Sequence, residues 1–423
     1  MLLNLPLDRA RTRIAFLLVT FCVSGWLAAT ALQSVLPAIL AESDNVARVR
    51  EALMFECQND RIQNQLGNLY FWTELDAGKA VPLLRRATEI NPWQPRYWLD
   101  LGRACESAGD PPCADRAFAT AAGRAPFVPR FQLALAEHYL LAARQRESLS
   151  ALRRYFALAP ESPESVFQPF LRAFGPEPIW NALPQSSDST LQLQLITLLA
   201  QNDRSEEAKR YWTRLSSSGV RIPVQAAVPY LNALSANSDF SQIAVVWYDL
   251  QEMGSVARPD AQNLVFNSKF SSPPSNMGLD WRYQPQKYIS LDFTNLGPEG
   301  DGHSLRVDVG STNSDLDLIE EIVPVLPETT YLLSASVQSQ NITSDSGPRL
   351  RVQDLGCASC LEVQTEGSVG TSPWHQVSAA FRTGPDTKFI RLSLWRPRSR
   401  SYPFEISGQF WISDVTLRAS SNQ

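Results

Sequence analysis

Residues 97–126 read "YWLDLGRACESAGDPPCADRAFATAAGRAP". Two helix-like runs flank a polar turn. Trp98, Leu101 and Gly102 fall in the first run; Ala114, Phe118 and Ala121 fall in the second, and Pro126 closes it. Proline is poorly tolerated inside a helix but common just past its end. Pro92, Pro126 and Pro160 each follow such a run, 34 residues apart both times. Three equivalent helix ends at a fixed interval mean a chain that repeats one helical hairpin.

The same residues recur on either side. The preceding unit has Leu66, Gly67 and Tyr70, then Ala80, Leu84, Ala87 and Pro92, with one extra residue in its turn. The following unit keeps Leu135, Tyr139, Leu152 and Pro160, with Ala136 where glycine is usual; it departs at Gln132, Ser148 and Tyr155. This pattern resembles the tetratricopeptide repeat. Small residues at the helix crossing let two backbones approach, while Trp, Leu, Tyr and Phe fill the layer between hairpins. Trp98, Phe118 and Tyr139 therefore read as packing residues. Residues 190–219 and 228–254 still read helix, polar turn, helix without the signature residues, as degenerate repeats or capping hairpins. A Pro- and Ser-rich run over 171–189 reads as an interruption. The resemblance implies a groove that binds proteins or peptides.

Before the repeats, Ile14 to Leu40 carries no charged residue and follows Arg9, Arg11 and Arg13. About 20 apolar residues suffice to span a bilayer. This predicts a cytoplasmic N-terminus over 1–13 and a transmembrane anchor over 14–40, with the bulk of the chain outside. A cleaved signal peptide, with Ala29-Thr30-Ala31 as its small-residue site, is the rival reading and predicts secretion.

Near Gly254 the helical period stops, and 254–262 reads as a linker between a helical part (45–253) and a strand-rich part (263–423). There "HSLRVDV", "YLLSASVQSQ", "RLRVQDL", "WHQVSAAF", "FIRLSLW" and "QFWISDVTL" alternate with a period of two between Gly, Pro, Ser and Asp, which predicts an antiparallel β-sandwich. The expected fold class is thus an α + β multidomain chain: transmembrane helix, α-solenoid, C-terminal sandwich. Along "FIRLSLW" the alternation points Ile390, Leu392 and Leu394 inward and Phe389, Arg391, Ser393 and Trp395 outward. The same rule puts Arg306, Asp308, Arg351 and Gln353 on outer faces. Arg306, Asp308, Arg351, Gln353, Arg391 and Trp395 are candidate glycan-binding residues, since hydroxyls need polar partners and a sugar ring stacks on indole. They are also what plain solvated strand faces would show.

These segments, with "NLVFNSKFSS", "MGLDW" and "GTSPWHQVSAAF", occur in the order found in galactose-binding-like jelly rolls of the carbohydrate-binding-module type, and the resemblance covers residues 263–418. It implies a jelly roll and packing roles for Trp281 and Trp374. It also implies a structural calcium, for which Gly302, Ser304 and Asp414 match the family's positions, while Ser271 stands where an acid is expected.

The chain has 423 residues, 44% hydrophobic and 19% charged, with a net charge of -5. No basic block offers a nucleic acid a concentrated surface. Of six cysteines, Cys105 with Cys113 and Cys357 with Cys360 are spaced for disulfides, leaving Cys57 free and Cys22 in the apolar run; a single C-x-x-C without a second pair is a poor zinc site. His138, His303 and His375 lie apart, and no nucleophile, Walker or H-E-x-x-H motif occurs. The sequence predicts no catalytic residue, no enzyme and no cofactor beyond that calcium. It predicts an envelope protein of the bacterial inner membrane that docks other envelope proteins and contacts polysaccharide; by analogy of domain combination, it would serve exopolysaccharide or O-antigen assembly and export. The alternative is a pure protein scaffold whose jelly roll binds no sugar.

Overall fold

The structure, a computed structural model, describes residues 10–159, 164–184, 188–257, 262–298, 300, 303–402 and 404–420. The chain divides into two compact units, residues 1–185 and 186–423. The four helices that follow residue 186 therefore belong with the strands.

In the first unit, α1 (Ala10–Ala41) and α2 (Val46–Phe55) precede three helical hairpins. These are α3 (Asp60–Trp72) with α4 (Ala77–Ile90), α5 (Pro95–Ser107) with α6 (Pro111–Arg124), and α7 (Pro129–Leu141) with α8 (Gln145–Leu158). Each hairpin turns on one left-handed residue just before the second helix: Leu75 (φ 53°), Gly109 (φ 71°) and Ala143 (φ 55°). Of the three, only Gly109 adopts this conformation without a side-chain penalty. Asp76 and Asp110 then cap α4 and α6, accepting from Lys79 N and Cys113 N, as helix starts prefer. Pro95 and Pro129 open α5 and α7 at the position where a missing N–H loses nothing. The extra residue in the first turn is visible in its closing bond: Asp76 N reaches Tyr70 O, six residues back, whereas Asp110 N reaches Cys105 O and Arg144 N reaches Tyr139 O.

Helix crossings explain the small residues. A Cβ on Gly102 would lie 3.0 Å from the Phe118 ring, and one on Gly67 would lie 2.6 Å from Leu84 Cγ. Ala80 and Ala114 are fully buried, and in the third hairpin the equivalent Ser148 is buried too, donating through Oγ to the Ala136 carbonyl at 2.8 Å. Pro92 and Pro126 follow the ends of α4 and α6; Pro160 lies outside the described residues. Much of the stretch expected as an interruption is helical: α9 (Glu164–Phe174) and α10 (Pro176–Ala182), the latter entered through Gly175 at φ 74°.

The transmembrane anchor, and with it the inner-membrane location, is corrected. Among the described residues no helix is long and apolar enough to cross a membrane.

The second unit opens with two more hairpins, α11 (Thr190–Gln201) with α12 (Ser205–Ser216) and α13 (Val224–Ala236) with α14 (Phe240–Glu252). Their turns again use one left-handed residue, Asp203 (φ 56°) and Ser238 (φ 55°), so the local geometry of the first unit returns without its signature side chains. Among the described residues nine strands follow, in two antiparallel sheets. The five-stranded sheet has the order β1 (Ile289–Asn295), β2 (Ser304–Thr312), β9 (Ile406–Ala419), β4 (Thr330–Ile342), β7 (Gly370–Arg382); the four-stranded sheet has β3 (Leu316–Pro324), β8 (Phe389–Arg396), β5 (Arg349–Asp354), β6 (Glu362–Gln364). Side chains from both sheets share one core, including Leu305, Val307, Ile390, Leu392 and Leu394.

The helices of this unit are joined to the sandwich by packing. Trp247 of α14 meets Phe266 edge-on at 5.4 Å. Gly278 (φ 58°) lets the chain pass so close that a Cβ there would lie 2.0 Å from the Trp247 ring. Arg282 Nη1 donates to Ser235 Oγ at 3.1 Å. Trp281 is fully buried as expected, but Trp374, expected in the core, is half-buried on β7.

Candidate functional site

The first hairpins form a polar groove of about 810 Å³ along α2, α3 and α5, lined by Asn59, Asn64, Gln65, Asn68 and Gln94 among others. At its base Asp100 is 7% exposed. Asn64 Nδ2 donates to its Oδ2 at 3.0 Å and Asn68 Nδ2 donates to the same oxygen at 2.9 Å. A buried carboxylate needs such donors, and Arg96 at 3.9 Å adds a rim cation. Asn68 Oδ1 is buried without a hydrogen-bond partner. Alongside, burial pushes the Tyr97 hydroxyl up to about 12, with the Asp60 carboxylate adding to the shift. The groove thus offers neutral amides and a rim of both charge signs.

A second groove, about 610 Å³, lies between α6, α7 and α8 and is lined mainly by small and apolar side chains, with Gln132 at its wall. Beside it a chain of charges links the second and third hairpins. His138, 5% exposed, contacts Glu106 at 2.6 Å through Nδ1 and Asp115 at 2.7 Å through Nε2, and Arg144 donates to Asp115 at 2.8 Å. Burial alone would raise the Asp115 carboxyl, but the hydrogen bonds from His138 and Arg144 and the Arg144 charge outweigh it and hold the group below its ordinary value. His138 is a connector between repeats, stacked on Phe118 at 4.7 Å.

The six candidate glycan residues do not converge. Arg351, Gln353, Arg391 and Trp395 share the outer face of the four-stranded sheet, where Gln353 pairs with Arg391 and Arg351 with Ser393. Arg306 and Asp308 stand on β2 of the other sheet, whose outer side faces the opposite way. Every arginine among them has an acidic neighbour. Arg351 donates to Asp317 at 2.6 Å, Arg391 Nε lies 3.3 Å from Glu320, and Arg306 holds Asp308 at 2.9 Å and Asp292 at 3.7 Å. The Arg351 guanidinium covers the Trp395 ring, 4.3 Å from its centroid. A sugar stacking on that side of the indole would have to displace it.

For the calcium positions, Gly302 lies outside the described residues. Ser304 Oγ donates to the Leu296 carbonyl at 2.8 Å, and Asp414 lies 3.5 Å from Lys269. Among the described residues no cluster of three or more His, Cys, Asp or Glu gathers to hold a metal. Cys105 is bonded to Cys113 and Cys357 to Cys360, while Cys22 and Cys57 carry free thiols.

Sequence reasoning passed over three features. The amides of α3 carry no motif; their meeting with Asp100, 36 residues on, needs the hairpin stack. Glu321 of β3 is 1% exposed, accepts from Phe266 N at 2.7 Å, and is held well above its ordinary value by burial. Arg396 is fully buried. It donates to the carbonyls of Ser314, Ser346 and Phe404 and to Asn313 and Ser344 side chains, tying three loops together. The alternation of "FIRLSLW" extended by one residue would have pointed it inward.

In comparisons with known proteins, MamA is 26% identical over 27% of this chain and 66% of its own, with a TM-score of 0.25. A thermophilic TPR protein of Thermus thermophilus is 19% identical over 30% of this chain and 70% of its own, with a TM-score of 0.27. The enzymatically active domain of a bacteriophage CBA120 tailspike protein is 14% identical over 37% of this chain and 21% of its own, with a TM-score of 0.29. The chain therefore spans about two thirds of MamA and a fifth of the tailspike protein. No protein-family model matches the chain, and no curated protein matches it. What its own 34-residue period, hairpin turns and helix crossings define is a chain of repeated helical hairpins with an antiparallel sheet domain.

Proposed function

We propose that the protein is a non-catalytic scaffold that holds an extended segment of a protein partner in the α2–α3–α5 groove. One observation carries this reading: the groove is lined by side-chain amides, and one of their acceptors, Asn68 Oδ1, is buried with no partner. An amide donates and accepts at once, as a peptide backbone does, so a ladder of amides suits an extended chain irrespective of its side chains. Arg61 and Arg96 share the lining with Glu42, Asp44 and Glu56, so the flanks of that segment would be of mixed charge. The sandwich then serves as a structural partner of α13 and α14. Support for this over glycan binding is the separation of the candidate residues onto two sheets and the guanidinium lying on Trp395.

The test is affinity capture with the full chain and with the double variant Arg61→Glu, Arg96→Glu, which removes both cations from the lining without touching the core. A defined partner retained by the native chain and lost by the variant is the expected result. Equal capture by both would remove the groove from the account. Retention of the full chain on a polysaccharide, abolished by Trp395→Ala, would restore the glycan reading.

A further inference from the structure

The groove between α6, α7 and α8 has a counterpart one repeat earlier that is filled, and the comparison shows what would fill it. Each lining residue has an equivalent 34 positions before it. Where the third hairpin has Gln132, the second has Trp98, whose indole N–H donates to the Pro92 carbonyl at 2.9 Å. On the facing helix this groove has Ala119 and Gly123 of α6, where the preceding one has Arg85 and Glu89 of α4. A Cβ built on Gly123 would meet nothing within 4 Å. Leu158 stands for Arg124, which in the second hairpin lies over the Trp93 ring at 3.8 Å from its centroid. The residue matching Trp93 is Phe127, 84% exposed at the groove's rim. At Ala119, Gly123, Gln132 and Leu158 large side chains have thus been replaced by smaller ones, while Tyr139, Glu147 and Arg154 of the same lining are larger than Cys105, Cys113 and Thr120.

The wall of the groove also has an unused hydrogen-bond acceptor. Gln132 is 2% exposed. Its Nε2 donates to the Ala122 carbonyl at 3.2 Å and, at 3.5 Å, to the Pro126 carbonyl, the equivalent of the group that Trp98 contacts. Its Oε1 is buried without a partner. Leaving such an acceptor unmet is unfavourable, so a ligand that brings an N–H gains more than one that is merely apolar.

We propose that this groove receives a tryptophan side chain of a protein partner, the indole lying against Gln132 in the space that the outer part of the Trp98 ring takes in the preceding repeat. Its N–H donates to Gln132 Oε1, its rings rest on Ala122, Leu135 and Leu158, and Phe127 closes over the edge. The site is separate from the α2–α3–α5 groove and does not depend on it.

The experiment uses the full chain with labelled Leu and Ala methyl groups and two small probes, N-acetyl-tryptophanamide and N-acetyl-phenylalaninamide. The tryptophan probe is expected to shift the Leu135 and Leu158 methyls saturably and to bind about tenfold more tightly than the phenylalanine probe, as a buried acceptor that gains its donor requires. Gln132→Trp, which rebuilds the second hairpin's residue, should abolish the shifts while leaving the fold intact. Gln132→Leu should bring the two probes to within about twofold, because the acceptor is gone. If Gln132→Trp fails to fold, Leu158→Arg blocks the same space from the opposite wall and should abolish the shifts. The proposal is overturned by no saturable shift up to the probe's solubility limit, by shifts that persist in the blocked variants, or by equal affinity for both probes. A failed capture experiment at the first groove, with these shifts intact, would sink only the first reading.

Discussion

The second and third hairpins of the first unit have the same backbone and different interiors. In the second, Gly102 lies against Phe118 and Trp98 reaches Pro92, so large side chains of the repeat fill the space at both places. In the third, Ala136 stands for Gly102 and Gln132 for Trp98, and a groove of about 610 Å³ with Gln132 in its lining opens beside α6. The lesson is that a repeat's backbone is specified by a few positions, namely the turn, the crossing and the helix-start residues. The remaining positions are free to fill the space between hairpins or to leave it for a partner.

Four measurements would break or sharpen that contrast. Phe118→Ala empties the closed hairpin and should destabilise the chain by about 3–5 kcal/mol, read from denaturant midpoints. A loss below about 1 kcal/mol would mean that the two interiors are equally loose. Gly102→Val drives a branched side chain into the Phe118 ring and should cost about 1–3 kcal/mol by overpacking. Ala136→Val at the matching site of the third hairpin should be tolerated better. Ala143→Gly gives the third turn the residue that the second has in Gly109, and relief of the left-handed conformation should stabilise it by about 1 kcal/mol; thermal unfolding of Gly109→Ala should shift the opposite way.

The smallest effect is the pH dependence of the charges joining the two hairpins. Asp115 is held below its ordinary value when folded, so its contribution is present above the unfolded pKa and is lost as pH falls through the folded one. Asp115→Asn should lower stability near neutral pH by about 0.5–1 kcal/mol, as expected for a solvent-screened pair. The variant and native curves should converge at the acid end, and parallel curves down to that end would remove Asp115 from the linkage. In the other unit Glu321 has the opposite sign. Its folded value is raised by burial, so its effect on stability becomes unfavourable as pH rises from the unfolded value through the folded one. Glu321→Gln should therefore stabilise the chain at neutral and alkaline pH and not in acid.

The strands show where legibility stops. β2, β4, β5, β7, β8 and β9 fall on the stretches whose alternation announces them, since each has one face in a shared core. β3 does not announce itself. Its register shifts between Asp317 and Ile319, and it buries Glu321, so neither the period nor the polarity of "LDLIEEIVP" is that of a half-buried strand. β6 is three residues long and carries too few positions to show a period. The candidate site was less legible still. Outward-facing residues can be assigned strand by strand, but which strands share a sheet depends on the order in which the chain winds. That order parted Arg306 and Asp308 from the other four candidates.

Period and small-residue spacing, both properties of neighbours along the chain, were enough by themselves to determine the hairpins, the places where their helices cross, and the existence of a two-faced strand domain. Only the tertiary structure decided which polar groups meet. It brought Asn64 and Asn68 to Asp100, laid Arg351 over Trp395 and left Gln132 Oε1 without a donor. Hydrogen bonds and ring contacts act within a few ångströms whatever the separation in sequence, and no local pattern records that proximity.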